Sequence, residues 1–162
     1  MRIFGFILMG VALLSIALVA AGQMGLLRGN PPKDLGVKDG RLKPPARTPN
    51  SVSSQADLYP DHPQLQFARI DPIRFNGTPE QAWSRIAALL QANDDTVIVT
   101  HEPDYIYAQC TTKLMRFTDD LEFWLDRGAG VIQVRSASRL GKKDFDVNRK
   151  RVEAIRARFN PS

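Results

Sequence analysis

The spacing of apolar residues changes along the chain, and each spacing predicts a different element. From Ile3 to Ala21, nineteen residues follow one another without a charge. At 1.5 Å rise per residue such a run matches the roughly 30 Å hydrocarbon core of a bilayer, so residues 1–25 read as one transmembrane helix. Further on, Trp83, Ile86, Ala87 and Leu90 recur at helical spacing behind Thr78-Pro79-Glu80-Gln81. There Thr78 is placed to cap, Pro79 falls in the first turn, and Gln81 completes a capping box. The period then drops to two. Strands are predicted at 96–100 and 105–112, divided by the turn-like Glu102-Pro103-Asp104. The clearest pair follows: Leu121, Phe123 and Leu125 alternate with Asp120, Glu122 and Asp126, Arg127-Gly128-Ala129-Gly130 turns the chain, and Ile132 and Val134 alternate with Gln133 and Arg135. This register sets Phe123 opposite Val134, Leu125 opposite Ile132, and Glu122 opposite Arg135 on the other face. Helical spacing returns in Asn148, Val152, Ile155 and Phe159, with Asp146 as the expected cap. The fold class is α+β: a small antiparallel sheet packed by two helices, preceded by one N-terminal transmembrane helix.

The apolar run also fits an export signal, since a positive residue precedes it and Val19-Ala20-Ala21 offers a cleavage site. Its length, continued through Met24, Leu26 and Leu27, favours an uncleaved anchor, because a signal core has about 7–15 residues. Arg28, Lys33 and Lys38 follow the run, so the positive-inside rule does not clearly favour export of what comes after it. A short tail before an apolar helix is nevertheless read by export machinery as a signal. The expectation is a single-pass protein with its domain on the periplasmic side. Residues 26–63 hold seven of the eleven prolines and read as a linker, either a spacer or a segment packed along the domain surface. The domain itself is expected over residues 64–162, about one hundred residues and one modest core.

Charge changes the picture at the C-terminal end. The chain has a net charge of +5. Arg139, Lys142, Lys143, Arg149, Lys150, Arg151, Arg156 and Arg158 outnumber Asp144, Asp146 and Glu153 there by the same margin. Lys142, Lys143, Lys150, Arg151, Arg156 and Arg158 are candidates to face anionic lipid headgroups, with a solvated helix face as the plainer alternative. No aromatic residues interleave with these cations for base stacking, which argues against nucleic acid.

Candidate chemistry is sparse. Cys110, the single cysteine, falls on a strand and reads as a small buried residue. His62 and His101 lack partners at metal-ligand spacing, so no metal or cofactor is expected. Ser136 and Ser138 have His101 as their one plausible base, without the spacing of a nucleophile elbow. The sharpest cluster is polar: Asp119, Asp120 and Glu122 with Arg135, Arg139 and Arg149, joined by Ser136, Ser138 and Asn148. Carboxylates and guanidinium forks on one sheet face can clamp a charged ligand. The same residues also make a salt-bridge network fixing the last helix to the hairpin. Asp119 and Asp120, as neighbours on a strand, point to opposite faces and make no acid–base pair. The leading expectation is a non-enzymatic ligand-binding or scaffolding domain, with an unknown protein partner. The alternative is a hydrolase-like enzyme using the Asp/Glu/Arg/Ser face of the hairpin.

Asp119-Asp120-Leu121-Glu122-Phe123, Arg135-Ser136-Ala137-Ser138-Arg139-Leu140-Gly141, Asp144 and Asn148-Arg149-Lys150-Arg151, with Pro49-Asn50-Ser51-Val52-Ser53-Ser54-Gln55 upstream, resemble domain-of-unknown-function family 1499 over residues 40–158. The resemblance implies an N-terminal membrane or export segment and carries no activity. It also implies cysteines near Pro45 and at Ser51, both absent here, whose joint loss fits a disulfide that this chain does without. Family members tend to have glycine where this chain has Asp146, so the departure puts in question the tight turn that the resemblance implies there.

Overall fold

The computed structural model describes residues 2–160. Its elements in chain order are helix α1 (Arg2–Gln23), strand β1 (Ser51–Ser53), a 3-10 turn (Ala56–Leu58), helix α2 (Leu65–Ala68), strand β2 (Ile73–Arg74), helix α3 (Pro79–Gln91), strands β3 (Thr96–His101), β4 (Tyr105–Thr111), β5 (Thr118–Asp126) and β6 (Val131–Ser138), and helix α4 (Val147–Phe159). All six strands join one antiparallel sheet in the order β1-β6-β5-β4-β3, with β2 also on the outer edge of β6. The class is α+β.

The local signals behave as their chemistry dictates. Thr78 accepts from the Gln81 backbone and the Gln81 side chain accepts from the Thr78 N–H, a complete capping box ahead of α3. Trp83, Ile86, Ala87 and Leu90 are all buried, as are Asn148, Val152, Ile155 and Phe159 on α4. The hairpin pairs Phe123 with Val134, Leu125 with Ile132 and Glu122 with Arg135. α3 and α4 cover one sheet face, where Phe123, Leu121, Ile106, Ile132 and Val134 are sealed from solvent. Truncating a phenylalanine sealed in this way costs about 3–5 kcal/mol.

The opposite face is covered by the segment read as a tether. Leu35, Val37 and Leu42 pack over Tyr105, Tyr107 and Trp124. Gln55 fastens this cover, accepting from Leu42 N–H at 2.8 Å and donating to Gly40 O at 3.0 Å. Residues 51–53 then enter the sheet as β1, with Val52 opposite Ser136. From Leu35 onward, the packed-segment alternative describes what the free spacer does not. The prolines are compatible because they lie outside the paired strands, where no ladder donor is required of them. Ser51, where the resemblance implies a cysteine, accepts from Ala46 N–H at 2.7 Å and so ties down the same segment.

α1 is long and apolar enough to cross a membrane, and none of its most apolar stretch is buried by the domain. Its last turn touches the β4–β5 connection. The Gln23 amide donates to Lys113 O at 3.1 Å and Leu114 O at 2.9 Å. Gly22 approaches so closely that a Cβ there would overlap the Met115 carbonyl oxygen. Six residues on from Gln23, Gly29 lies against Arg139 and Leu140.

Candidate functional site

The polar cluster divides across the sheet into two networks, because alternate residues on β5 point to opposite faces. Beneath the cover, Glu122 has a fully buried side chain that meets Arg135 Nη1 at 3.1 Å, Tyr105 OH at 2.9 Å and Gly36 N–H at 3.0 Å. Arg135 also donates through Nε to Pro44 O at 3.3 Å. One turn of the pleat away, Asp120 accepts Tyr107 OH at 2.6 Å and Arg139 Nη2 at 2.7 Å, and Gln109 donates to Tyr107 OH at 2.9 Å. Two buried ion pairs thus lie side by side, each with a tyrosine on it.

These environments act on the phenols. Burial pushes the Tyr105 hydroxyl far above its ordinary range, and the Glu122 carboxylate adds to the shift. Burial and the hydrogen bond to Asp120 also raise the Tyr107 hydroxyl. For Arg139, burial works against the charge, but the hydrogen bond to Asp120 and its negative charge leave the pKa raised. Burial also raises the Cys110 thiol.

On the helix side, Asn148 is the hub of the second network. Its Nδ2 lies 2.9 Å from Ser138 Oγ, 2.8 Å from Asp144 Oδ2 and 3.2 Å from Asn50 O. Its Oδ1 accepts from Ser136 Oγ and, at 2.9 Å, from Arg151 Nη1. Arg151 closes the circuit on Asp119 Oδ2 at 2.7 Å. The hub joins β1, β6 and α4 to the loop between residues 139 and 147.

The expectation that one face would gather Asp119, Asp120, Glu122, Arg135, Arg139 and Arg149 is therefore corrected. Asp119 lies on the helix side and pairs with Arg151. Arg149 points elsewhere and donates to the carbonyls of Phe67 and Arg69. Ser136 and Ser138 belong to the Asn148 hub. The Ser–His alternative fails on topology: β4 and β5 lie between β6 and β3, and at about 4.8 Å per strand spacing His101 is roughly 14 Å or more from either serine. Asp146 precedes α4 as expected, but its side chain makes no cap bond. Asp144 does so instead, accepting from Asp146 N–H at 3.1 Å and Asn148 N–H at 3.0 Å. Asp146 is left-handed with φ of 64°, so the tight turn survives without glycine.

The basic residues also divide. Arg156 donates to Pro72 O and Asp71 O, and Arg158 to Asn93 Oδ1. With Arg151 on Asp119, three of the six cations considered for lipid are engaged by the protein. Lys142, Lys143 and Lys150 are exposed.

Sequence reasoning missed Tyr105, Tyr107 and Gln109, although they alternate with Ile106, Ala108 and Cys110 and so mark a polar face of β4. It also missed a groove of about 320 Å³ at the α1 end, whose lining includes Phe117, Leu140, Phe145 and Val147 together with Lys143, Asp119 and Asp144. Apolar side chains in otherwise polar loops were its signal.

Fold and site together define an α+β domain with a buried polar layer, following an apolar N-terminal helix. The chain belongs to the protein family of unknown function DUF1499, whose model matches residues 41–159 and so takes in the later part of the cover, the sheet and helices α2 to α4. No curated protein and no solved structure matches it.

Proposed function

We propose that this is a single-pass protein of the cell envelope whose domain, exported beside an uncleaved anchor, binds or scaffolds rather than catalyses. The observation that carries the reading is that the Asp/Glu/Arg set is committed to internal partners. Asp119, Asp120 and Glu122 each hold an arginine, and among the described residues no buried side-chain nitrogen or oxygen lacks a hydrogen-bond partner. A catalytic acid or base must reach a reacting atom at hydrogen-bond distance, and these carboxylates already hold arginines, Asp120 and Glu122 beneath the cover segment and Asp119 on the helix side. Such networks fix one arrangement of the chain. They leave recognition to the surface.

Two features support anchoring and envelope ligands. α1 has the length and composition of a bilayer span and is free of the domain along its apolar stretch. The groove near its end has mainly apolar walls; Lys143 lines it, as do Asp119, paired with Arg151, and Asp144, bonded to Asn148, and such walls suit an apolar envelope component. The test is to produce the full chain in a bacterial host, extract membranes with alkaline carbonate, and weigh the retained protein. Retention of the complete 18.1 kDa chain is expected. Release into the soluble fraction, or loss of residues 1–21, would end the anchor reading. Ester hydrolysis that disappears in Ser136→Ala, while the variant unfolds at an unchanged temperature, would reinstate the enzyme.

A further inference from the structure

We propose that the end of the domain beside α1 is a docking surface for an anionic bilayer: Leu114, Phe117, Leu140 and Phe145 enter the boundary between headgroups and acyl chains, and Lys113, Lys142 and Lys143 engage lipid phosphates. The inference rests on the reading of α1 as a membrane span and names the partner of the surface next to it.

Position comes first. A helix that crosses a bilayer ends at the headgroups, and the final turn of α1 is bonded to the carbonyls of Lys113 and Leu114 and packed on Met115. The β4–β5 connection therefore sits at headgroup level. Gly29 brings the chain just after α1 against Arg139 and Leu140, which places the β6–α4 loop at the same level. The two loops flank the anchor.

Composition is the second observation. Phe145 is 82% exposed and Leu114 62%, with Phe117 and Leu140 also substantially open. Burying such side chains is favourable, and several of them gathered on two adjoining loops mark an interaction surface rather than scattered exposure. Here they stay exposed. Phe145 and Asp146 have φ of 52° and 64°, and Arg116, between Leu114 and Phe117, has φ of 56°. For a bulky residue such as phenylalanine this conformation is a departure that the surroundings must enforce. The enforcing groups are visible: Asp144 and Asn148 hold the loop from both sides of Phe145. The groove opens between the same side chains and offers an acyl chain a place to lie.

Charge gives the third. Lys113, Lys142 and Lys143 are exposed on the two loops, whereas Asp144 is buried in the hub and Asp146 is their one exposed acid. Apolar tips ringed by lysines are the pattern of interfacial binding, in which buried area and attraction to anionic lipid act together. Anchoring supplies the rest, because a tethered surface meets the bilayer at high effective concentration. The hairpin turn at residues 127–130 lies at the far end of β5, eight residue steps or about 26 Å away, and serves as an internal reference.

The test uses the full chain in vesicles of phosphatidylcholine and phosphatidylglycerol. An NBD fluorophore is placed on Phe145→Cys, Leu114→Cys or Ala129→Cys; native Cys110 is buried and stays unlabelled. Emission from positions 145 and 114 should shift to the blue, rise severalfold, and be quenched by shallow nitroxide lipids, while position 129 remains water-like. Reversing charge with Lys142→Glu and Lys143→Glu should weaken the signal at 145 in anionic vesicles and leave it unchanged in neutral ones. If α1 resists carbonate extraction yet labels at 145 and 114 stay water-like, the docking surface is refuted and the anchor stands. If the chain washes off the vesicles, both readings fall. If the labels are shielded in detergent without lipid, in proportion to protein concentration, a second copy covers the surface and the bilayer is the wrong partner.

Discussion

Replacing Arg135 with methionine tests whether the buried layer is structural. The side chains of Arg135 and Glu122 are 5% and 0% exposed, and the substitution strands a carboxylate beneath the cover segment. Removing one partner of a buried ion pair typically costs about 3–5 kcal/mol, because the remaining charge is neither hydrated nor paired. Glu122 keeps Tyr105 OH and Gly36 N–H as donors, which sets the expectation at the lower end, about 3 kcal/mol. The loss of the bond to Pro44 O loosens the cover as well. For a domain of this size, that corresponds to a fall of roughly 10 °C in Tm. The assay is denaturant unfolding of the full chain in mild detergent, followed by the fluorescence of Trp83 and Trp124. Adding Glu122→Gln removes the stranded charge while keeping an acceptor for both remaining donors. The double variant should therefore recover to within about 1–2 kcal/mol of the parent. A loss below about 1 kcal/mol for Arg135→Met, or a second substitution that deepens the damage, would refute the reasoning.

Three further outcomes follow from the geometry. Cys110 is buried and its thiol is pushed up by burial, so it should react with a disulfide reagent only as fast as the domain opens, and at the full rate once denaturant is added. Tyr105 and Tyr107 have raised folded pKa values, so the folded state holds its protons longer than the unfolded one; their contribution is intact below about pH 10 and is lost as pH rises beyond it. In a Tyr59→Phe background, which leaves Tyr105 and Tyr107 as the tyrosines, phenolate absorbance should accordingly appear together with unfolding in an alkaline titration, and tyrosine ionisation in a still-folded chain would contradict this. Asp146→Gly removes a left-handed penalty of about 1–2 kcal/mol and adds unfolded-state entropy worth about 0.4–1 kcal/mol, so a net gain of about 0.5–1 kcal/mol is expected in the same unfolding assay.

The parts legible in the sequence were those whose information is local. The α3 capping box, the 121–134 register and the α4 stripe each repeat over a few residues, and local repetition survives folding unchanged. The cover segment carries no such period. Leu35, Val37, Leu42 and Val52 are spaced irregularly among prolines, and they acquire meaning only from partners on β4, β5 and β6 far along the chain. The polar cluster was legible as a set but not as pairs. That Glu122 opposes Arg135 follows from hairpin register, whereas Arg151 reaching Asp119, with Arg149 turned to Phe67 and Arg69, depends on how α4 is rotated against the sheet. Phe145 and Leu114 lay in loops, where an isolated apolar residue is ordinary until the end of α1 is seen beside it.

If the sheet's polar layer is structural and recognition lies at the end beside α1, hydrogen–deuterium exchange of the full chain separates the two most directly. In lipid nanodiscs containing phosphatidylglycerol, compared with neutral ones, the amides of residues 112–117 and 139–147 should become slower to exchange while those of β5 and β6 do not change. Protection that appears instead around the Arg135 network or along the exposed edge of β3, with the two loops unaffected, would contradict it.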